Sequence, residues 1–341
     1  MNVRKLYLAW TVLPLVACGV EAGAPESLQA SPEAAEVEPV GRTTSALVST
    51  SGLTSHFRNW LSANGYGSYD FARTDLVGGS YGGRSSASDT VTRQPVIFIH
   101  GNSDKAVGTG TSGQTGWNSS IDYFLSRGYK TSELYATTWG PASASQAALQ
   151  YHSRTNLTRL RRFVEAVRAY TGASQVDIIS HSMGVTLARK VILGGSASDA
   201  LDGGSYNVGP SITSWVDTFV GIAGANLGLT SCYLTGPTTP TCGSTNGLYP
   251  GYLNLGVVVG RSAYLNNLLA SSRYEGTYRY SIYSTADELI GYGGVVYGQY
   301  TSRVPGQTGE RVYTSSTYGH IPSKDLTAAV QYEMVVNHRV P

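Results

Sequence analysis

One segment, from Val176 to Arg189 (VDIISHSMGVTLAR), limits the possible folds more than any other part of the chain. Its first four residues are typical of a short strand that is buried on both faces of a sheet. A helical pattern begins at Val185, and only residues 180–184 (SHSMG) separate the two. A buried strand that turns directly into a helix predicts a parallel sheet covered by helices, with Ser182 projecting from the turn.

The rest of the chain repeats this alternation of strand and helix. Further strands are predicted at 95–99, 278–283, 216–222 and 311–313, and helices at 56–64, 155–170, 185–192 and from about 325 to 336. Residues 78–88, which are rich in Gly and Ser, instead predict a flexible loop. Because hydrophobic residues make up 41% of the chain, a substantial core can form. We therefore expect a single α/β domain over 48–341, with a mostly parallel central sheet flanked by helices.

The N-terminal residues predict export. Residues 1–18 have the pattern of a signal peptide, because a short basic stretch precedes an apolar run, Leu6 to Val16, that is too short to span a bilayer. This run leads into Cys18 through Leu-Val-Ala, which resembles a bacterial lipobox with Cys18 as the acylated residue. Cleavage after Ala24 is the alternative. Residues 19–47, rich in Ala, Glu, Pro and Ser, predict a flexible linker. The expected location is the outer membrane, as a lipoprotein, or the medium.

Export also affects the interpretation of the other two cysteines, Cys232 and Cys242. In an oxidising compartment we expect them to form a disulfide that closes one loop. Two thiolates without nearby His or Asp cannot complete a metal shell, so a metal site is not expected. The sequence implies no cofactor.

The segment around Ser182 has the composition of a nucleophile elbow, a sharp strand-to-helix turn that exposes a reactive serine. Small residues on both sides allow the tight turn, although Ser180 stands where the most common form has Gly. A serine that merely caps a helix would not need these small neighbours. His100-Gly101-Asn102 follows the strand at 95–99, and such a loop brings a backbone N–H over the nucleophile. We therefore expect the backbone N–H groups of Asn102 and Met183 to form an oxyanion hole.

A reactive serine of this kind needs a base and an acid, in the chain order Ser, acid, His. His320 and His338 lie downstream of Ser182, and His338 is close to the C-terminus, past the last predicted helix. His320 lies in a loop after a strand and before that helix, and is the preferred base. Asp287 and Glu288 both follow the strand at 278–283 and are both candidates for the acid. Such a triad would form an acyl-enzyme and release it with water.

Four segments resemble the bacterial class 2 lipases, which are small α/β-hydrolases. They are 95–104 (PVIFIHGNSD), 174–185 (SQVDIISHSMGV), 282–290 (IYSTADELI) and 318–322 (YGHIP). The resemblance implies a triad of Ser182, Asp287 and His320, and thereby favours Asp287 over Glu288.

A second, narrower resemblance is to extracellular poly(3-hydroxybutyrate) depolymerases that lack a separate substrate-binding domain. It rests on 150–156 (QYHSRTN), 163–178 (FVEAVRAYTGASQVDI) and 223–246 (AGANLGLTSCYLTGPTTPTCGSTN). The paired cysteines are part of this likeness, which supports a bond between Cys232 and Cys242. Residues 247–275 match weakly, and we expect them to contribute to the wall of the substrate site.

These observations predict a lipase or esterase that acts on acyl esters. A polyester depolymerase with the same triad is the nearest alternative, a transacylase would use the same acyl-enzyme, and a non-catalytic lipid-binding relative would not need the triad. The formal net charge of +2 gives no indication of a nucleic-acid partner. Membrane contact is expected through an acylated Cys18, and the protein is expected to be a monomer. The tyrosines of 274–300 are expected mostly to pack, rather than to form an exposed aromatic face.

Overall fold

The computed structural model describes residues 51–341 of the chain. The predicted signal peptide (1–18), its Cys18 and the predicted linker (19–47) lie outside the described residues.

A single large sheet organises the described residues. The strands, in chain order, are β1 (Gly52–Leu53), β2 (Ser80–Gly82), β3 (Val96–Ile99), β4 (Leu134–Thr137), β5 (Val176–His181), β6 (Ser196–Asp199), β7 (Gly204–Asn207), β8 (Val216–Ile222), β9 (Tyr252–Asn254), β10 (Val257–Val259), β11 (Tyr278–Ser284), β12 (Val295–Val296), β13 (Gln299–Tyr300) and β14 (Gly309–Tyr313). Eight of them pair in the order β1-β2-β4-β3-β5-β8-β11-β14. The six strands from β4 to β14 run parallel, and β2 is antiparallel to β4. The predicted mostly parallel α/β sheet is therefore confirmed.

Helices cover both faces of this sheet. They are α1 (Ser55–Ala63), α2 (Asn118–Ser126), α3 (Arg154–Thr171), α4 (Met183–Leu193), α5 (Thr230–Thr235), α6 (Ala263–Leu269), α7 (Pro322–Asp325) and α8 (Ala328–Val336). Alternate residues of β3 point to different cores: Ile97 and Ile99 pack with α3 and α4, whereas Val96 and Phe98 pack with α2 and α8. Because the strand is buried on both faces, its sequence is continuously apolar.

The helix α3 shows how sequence sets these elements. Ser153 caps its N-terminus by accepting the backbone N–H of Asn156 at 3.1 Å, and Gly172 ends it with φ +73°. Apolar residues at helical spacing, including Leu157, Leu160 and Val164, are buried against the sheet. The helix predicted at 155–170 is thus found with its expected face inward.

Two predictions need correction. Residues 78–88 are not simply a flexible loop, because Ser80–Gly82 forms the buried strand β2. A Cβ at Gly82 would lie 2.4 Å from the carbonyl oxygen of Leu134. Glycine, a residue typical of loops, is therefore needed here for close contact between two strands. The single closing helix predicted from about 325 is two helices, α7 and α8, with Leu326 and Thr327 between them.

The remaining strands form three small antiparallel hairpins, β6–β7, β9–β10 and β12–β13. The predicted disulfide is present between Cys232 on α5 and Cys242, with the Cα atoms 5.1 Å apart. The packing expected for the tyrosines is confirmed for Tyr274, Tyr280 and Tyr283, which are buried. Within residues 51–341, no helix has the length and apolarity needed to cross a bilayer.

Candidate active site

The predicted site residues meet at the carboxyl edge of the parallel strands. Asn102 follows β3, Ser182 follows β5, Asp287 follows β11 and His320 lies between β14 and α7. Because the carboxyl ends of parallel strands lie along one edge, residues far apart in the chain come together there.

Ser182 lies at the sharp turn between β5 and α4. Its backbone has φ +54° and ψ −129°, a conformation that residues other than Gly rarely adopt. The turn is held because the Ser182 N–H donates to the carbonyl oxygen of Ile222 at 2.8 Å. A Cβ at Gly184 would lie 2.3 Å from the carbonyl oxygen of His100, so only glycine lets α4 start this close to β3.

Three predicted residues form one hydrogen-bonded chain. His320 Nε2 lies 2.9 Å from the Ser182 hydroxyl oxygen, and His320 Nδ1 lies 2.7 Å from Asp287 Oδ2. His320 and Asp287 are buried, while Ser182 is partly accessible. A buried carboxylate that accepts from Nδ1 fixes the ring with its Nε2 lone pair directed at the serine.

The two neighbouring carboxylates, Asp287 and Glu288, bind different parts of His320. The second oxygen of Asp287, Oδ1, accepts the backbone N–H groups of Leu289 at 3.0 Å and Ile290 at 2.8 Å. Glu288 Oε2 instead accepts the backbone N–H of His320 at 3.0 Å. A Cβ at Gly319 would lie 2.4 Å from Glu288 Oε2, so glycine before the histidine makes room for this contact. Asp287 thus orients the ring, and Glu288 holds the main chain.

The loop after β3 runs directly over the serine. A Cβ at Gly101 would lie 2.8 Å from the Ser182 Cβ, so a larger residue could not take this position without displacing the loop. Within residues 51–341, the backbone N–H groups of Asn102 and Met183 have no protein acceptor, the second because Met183 is the first residue of α4. Both donors are therefore free to bind an oxygen at the serine.

His181 binds the main chain of His320. Its Nε2 donates to the carbonyl oxygen of His320 at 3.1 Å, and Ser323 Oγ donates to the same oxygen at 2.8 Å. Burial, with His320 and Lys324 acting in the same direction, holds the pKa of His181 well below its usual range. The neutral ring therefore places no positive charge beside His320.

His100, at the start of the loop, is likewise held neutral. Burial lowers the pKa of His100 from 6.5 to about 4. Its Nδ1 donates to the carbonyl oxygen of Gly101 at 2.7 Å, and its Nε2 accepts the Trp139 backbone N–H at 3.1 Å. The second bond needs the neutral ring, since a protonated Nε2 could not accept.

A buried ion pair joins the histidine loop to the loop after β3. The Lys324 ammonium, on α7, lies 3.2 Å from Asp104 Oδ2 and 3.0 Å from Asp325 Oδ1, and its side chain is fully buried. Although burial alone would lower it, the charges of Asp104 and Asp325 raise the pKa of Lys324. The ammonium also donates to Thr115 Oγ1 at 2.9 Å. The ion pair between Lys324 and Asp104 therefore fixes the loop that carries His320 relative to the expected oxyanion donors.

The disulfide loop reaches the other side of Asn102. The Asn102 side-chain amide donates to the carbonyl oxygen of Ala147 at 2.9 Å, and Thr241 Oγ1 donates to the same oxygen at 2.7 Å. Because Thr241 precedes Cys242, the cross-linked loop contacts the segment that positions Asn102.

Sequence reasoning missed the supporting roles of His181, Asp104 and Lys324, and it considered Glu288 only as an alternative acid. Two of them had a usable signal: Glu288 is adjacent to the chosen acid, and His181 is adjacent to the serine. Asp104 and Lys324 had none, because their pairing depends on contacts between residues far apart in the chain. Among the described residues, no group of three or more His, Cys, Asp or Glu side chains is arranged to hold a metal ion.

The parallel sheet, the elbow at Ser182 and the order of the site residues define an α/β-hydrolase. The family model for lipase (class 2) matches residues 93–333, which include all the site residues described above. The chain belongs to the class 2 lipases, and so to a family of carboxylic ester hydrolases. No curated protein sequence matches it significantly.

A solved lipase structure has the same fold. The structure of lipase B from Aspergillus fumigatus is similar with a TM-score of 0.50 and 17% identity, over 80% of this chain and 59% of that lipase. This chain therefore spans less than two thirds of the length of that relative. A structure reported for the metagenome-derived lipolytic enzymes LipS and LipT has a TM-score of 0.44 and 13% identity, over 73% of this chain and 94% of that one. A structure from work on carboxylesterases of Nitrososphaera gargenis has a TM-score of 0.39 and 13% identity, over 76% of this chain and 92% of that one.

Proposed function

We propose that this protein is an exported lipase or esterase that uses Ser182, His320 and Asp287 as a catalytic triad. The observation that carries the proposal is the continuous hydrogen-bonded chain from the Ser182 hydroxyl through the His320 ring to the Asp287 carboxylate. The family of the chain supports an ester as substrate.

In the first half of the reaction, His320 Nε2 takes the proton of Ser182 while Oγ attacks the carbonyl carbon of the ester. Asp287 stabilises the imidazolium that forms. The carbonyl oxygen becomes an oxyanion, which accepts hydrogen bonds from the backbone N–H groups of Asn102 and Met183. His320 then gives its proton to the leaving alkoxide, and the acyl group stays on Ser182. In the second half, His320 deprotonates a water molecule, which attacks the acyl-enzyme. His320 then returns the proton to Ser182 Oγ as the bond to the acyl group breaks and the carboxylic acid leaves.

The test is hydrolysis of p-nitrophenyl esters from C2 to C16 by the wild type and by Ser182→Ala. We expect loss of kcat by about 10⁴-fold or more in the variant, because the nucleophile is gone. Ser180→Ala is the matched control, because Ser180 is a buried serine near the end of β5 whose hydroxyl donates to the carbonyl oxygen of Val220 and not to His320. Activity that survived in folded Ser182→Ala would reject the triad, and a folded wild type without turnover on any ester would reject the hydrolase.

A polyester depolymerase is the second candidate. The observation that favours it is the likeness of 223–246 to such depolymerases, in which the cysteines that pair in this structure are included. Clearing of a poly(3-hydroxybutyrate) suspension by the wild type, absent in Ser182→Ala, would favour the depolymerase. Ester hydrolysis without clearing would favour the lipase or esterase.

Export is a proposal that rests on residues 1–18. If Cys18 is acylated, the wild type should incorporate a palmitate analogue and fractionate with membranes, and Cys18→Ser should do neither. If neither protein incorporates the palmitate analogue and the mature chain starts after Ala24, the protein is secreted without an anchor.

A further inference from the structure

Residues 218–260 contain no Asp, Glu, Lys, Arg or His, although the complete chain has 24 basic and 22 acidic residues. We call these residues the charge-free segment. They include residues 218–222 of β8, inside the sheet, then α5, the disulfide loop and the hairpin β9–β10. A buried strand explains the lack of charge up to Ile222, but the later residues are largely at the surface, where charged side chains are normally found.

Several large apolar side chains of the charge-free segment are exposed. They are Tyr233, Leu234, Tyr252, Leu253, Leu255 and Val257, and we call them the apolar face. All three residues of β9 are exposed, which shows that the hairpin projects from the body of the protein. Leu255 lies at the turn of this hairpin and is 99% exposed. A clustered apolar surface of this kind marks an interaction site, whereas scattered exposed side chains do not.

The apolar face is connected to the proposed active site. An apolar cleft of ≈ 320 Å³ lies beside it, lined by Thr230, Tyr233, Leu234, Pro250, Val296 and Tyr297 among others. Thr230 Oγ1 donates to the carbonyl oxygen of Ile290 at 2.7 Å, and the Ile290 N–H donates to Asp287 at 2.8 Å. Two hydrogen bonds therefore lead from the wall of the cleft to the proposed catalytic acid.

The hairpin is held against the same cleft. The Tyr297 hydroxyl donates to the carbonyl oxygen of Gly251, immediately before β9. The ring of Tyr297 packs edge-on against Tyr233, with 6.1 Å between the ring centroids. The base of the hairpin is therefore in direct contact with the wall of the cleft.

We propose that the apolar face docks this protein on a fluid, uncharged lipid surface, with the tip of the β9–β10 hairpin inserted among the acyl chains. The exposed apolar side chains carry no charge, which suits a surface that is neutral overall, and the cation that follows the hairpin, Arg261, is half-buried. Aliphatic tips penetrate a fluid phase, and tyrosines beside them suit the boundary between headgroup and acyl chain. The docking rests on the proposed function, because it places the ester-hydrolysing site at the lipid that supplies its substrate.

A solid polyester is a less suitable partner for this surface. Leucine and valine on a projecting turn need a medium into which they can move, whereas a rigid surface is better matched by flat aromatic rings. The tip of the hairpin carries Leu255 and has no aromatic residue between Tyr252 and Val259.

The test is sedimentation of the full chain with vesicles of phosphatidylcholine, with Cys18→Ser in every sample so that no acyl group can contribute. We expect the partition coefficient of Leu255→Asp to be about tenfold or more below that of the parent, because one leucine no longer leaves water. Leu201→Asp is the matched control, since Leu201 is 65% exposed in the turn of another hairpin, β6–β7. Its partition should equal that of the parent, and raising NaCl should not weaken binding.

A second variant, Leu255→Trp, reports insertion directly. We expect its fluorescence to shift to the blue when phosphatidylcholine vesicles are added, and Leu201→Trp to show no shift. The docking proposal is rejected if the parent does not bind these vesicles, if binding requires anionic lipid, or if Leu201→Asp weakens binding as much as Leu255→Asp. Adsorption to poly(3-hydroxybutyrate) granules alone, in a manner that depends on Leu255, would also reject it and assign the face to polyester.

Docking and catalysis can fail separately. Leu255→Asp should hydrolyse soluble p-nitrophenyl butyrate at the rate of the parent, and Ser182→Ala should bind vesicles as the parent does. Vesicle binding that depends on Leu255, without ester turnover by the parent, would reject the proposed function and leave the docking surface in place.

Discussion

The surroundings of His320 and the apolar face lie side by side but are constructed in opposite ways. The backbone N–H, carbonyl oxygen and both ring nitrogens of His320 have partners, and the nearby Lys324 is paired with Asp104 in a buried site. The apolar face is charge-free, and its hairpin is held by backbone pairing and a few contacts at its base. Polar contacts with fixed geometry make the first region intolerant of substitution, whereas exposed apolar side chains can change without loss of the fold.

The largest test of this contrast is Asp287→Asn. An amide can still accept the backbone N–H groups of Leu289 and Ile290, but its NH₂ group would face His320 Nδ1 and favour the wrong tautomer. We expect kcat to fall about 10⁴-fold with little change in thermal stability. Glu288→Gln is the control, because its amide oxygen can still accept the His320 N–H, and it should lose about tenfold or less. Equal losses in the two variants would remove the division of roles between the carboxylates. Ester hydrolysis and thermal unfolding are the measurements.

The second test removes the buried cation with Lys324→Met. Because Asp104 would remain buried without its partner, we expect the free energy of unfolding to fall by about 3–5 kcal/mol. Lys130→Met is the control, since Lys130 pairs with Asp89 at 3.5 Å but is 38% exposed, and it should lose only about 0–1 kcal/mol. Urea unfolding measures both. A small loss for Lys324→Met would mean that the ion pair is not what stabilises this side of the site.

The third test concerns the disulfide of the charge-free segment, between Cys232 and Cys242. Replacing both cysteines, with Cys232→Ser and Cys242→Ser, should lower the free energy of unfolding by about 2–3 kcal/mol, because a short closed loop is released in the unfolded chain. The wild type in reductant should match the variant, and reductant should not affect the variant itself. Urea unfolding with and without reductant decides this, and a variant as stable as the oxidised wild type would contradict it.

The smallest effect expected is the contribution of His100 to the dependence of stability on pH. His100 has a pKa of about 4 when folded and about 6.5 when unfolded, so the unfolded chain binds more protons between these values. Its contribution is present above pH 6.5 and is lost as the pH falls towards 4, on the order of 1–2 kcal/mol between pH 7 and 5.

Thermal unfolding from pH 7 to 5 measures this slope. His100→Gln, which can donate to Gly101 and accept from Trp139 without titrating, should be less stable at pH 7 but show a shallower slope. His56→Gln, which removes a partly exposed histidine on α1, is the control and should keep the slope of the wild type. Hydrogen exchange at the two pH values should show loss of protection around His100.

Much of the site could be predicted from sequence because its signals are local. The strand, the small residues and the helix around Ser182 are contiguous, and the loop after β3 starts directly where the strand ends. The order of Ser, acid and His then left few candidates for the base. Asp104 and Lys324 could not be found in this way, because they act through a contact between distant parts of the chain.

The fold was predicted best where burial alone determines the sequence, as in β5 and β8. It was predicted worst where a close backbone contact determines it, as in β2, because Gly82 has the composition of a loop. Residues 247–275 were expected to contribute to the substrate wall, but the exposure of Leu255 could not be predicted. An apolar run has the same sequence whether it packs inside or projects from the surface.

The way in which the β9–β10 hairpin is attached makes it a natural site for protein engineering. Its turn, Leu255-Gly256, contributes nothing to the triad or the sheet, and its base is fixed through Gly251. A hairpin of the same length with another tip could therefore be grafted there while the six parallel strands and their loops stay unchanged. A library of such grafts would vary the material to which the protein adheres while the reaction it performs is preserved.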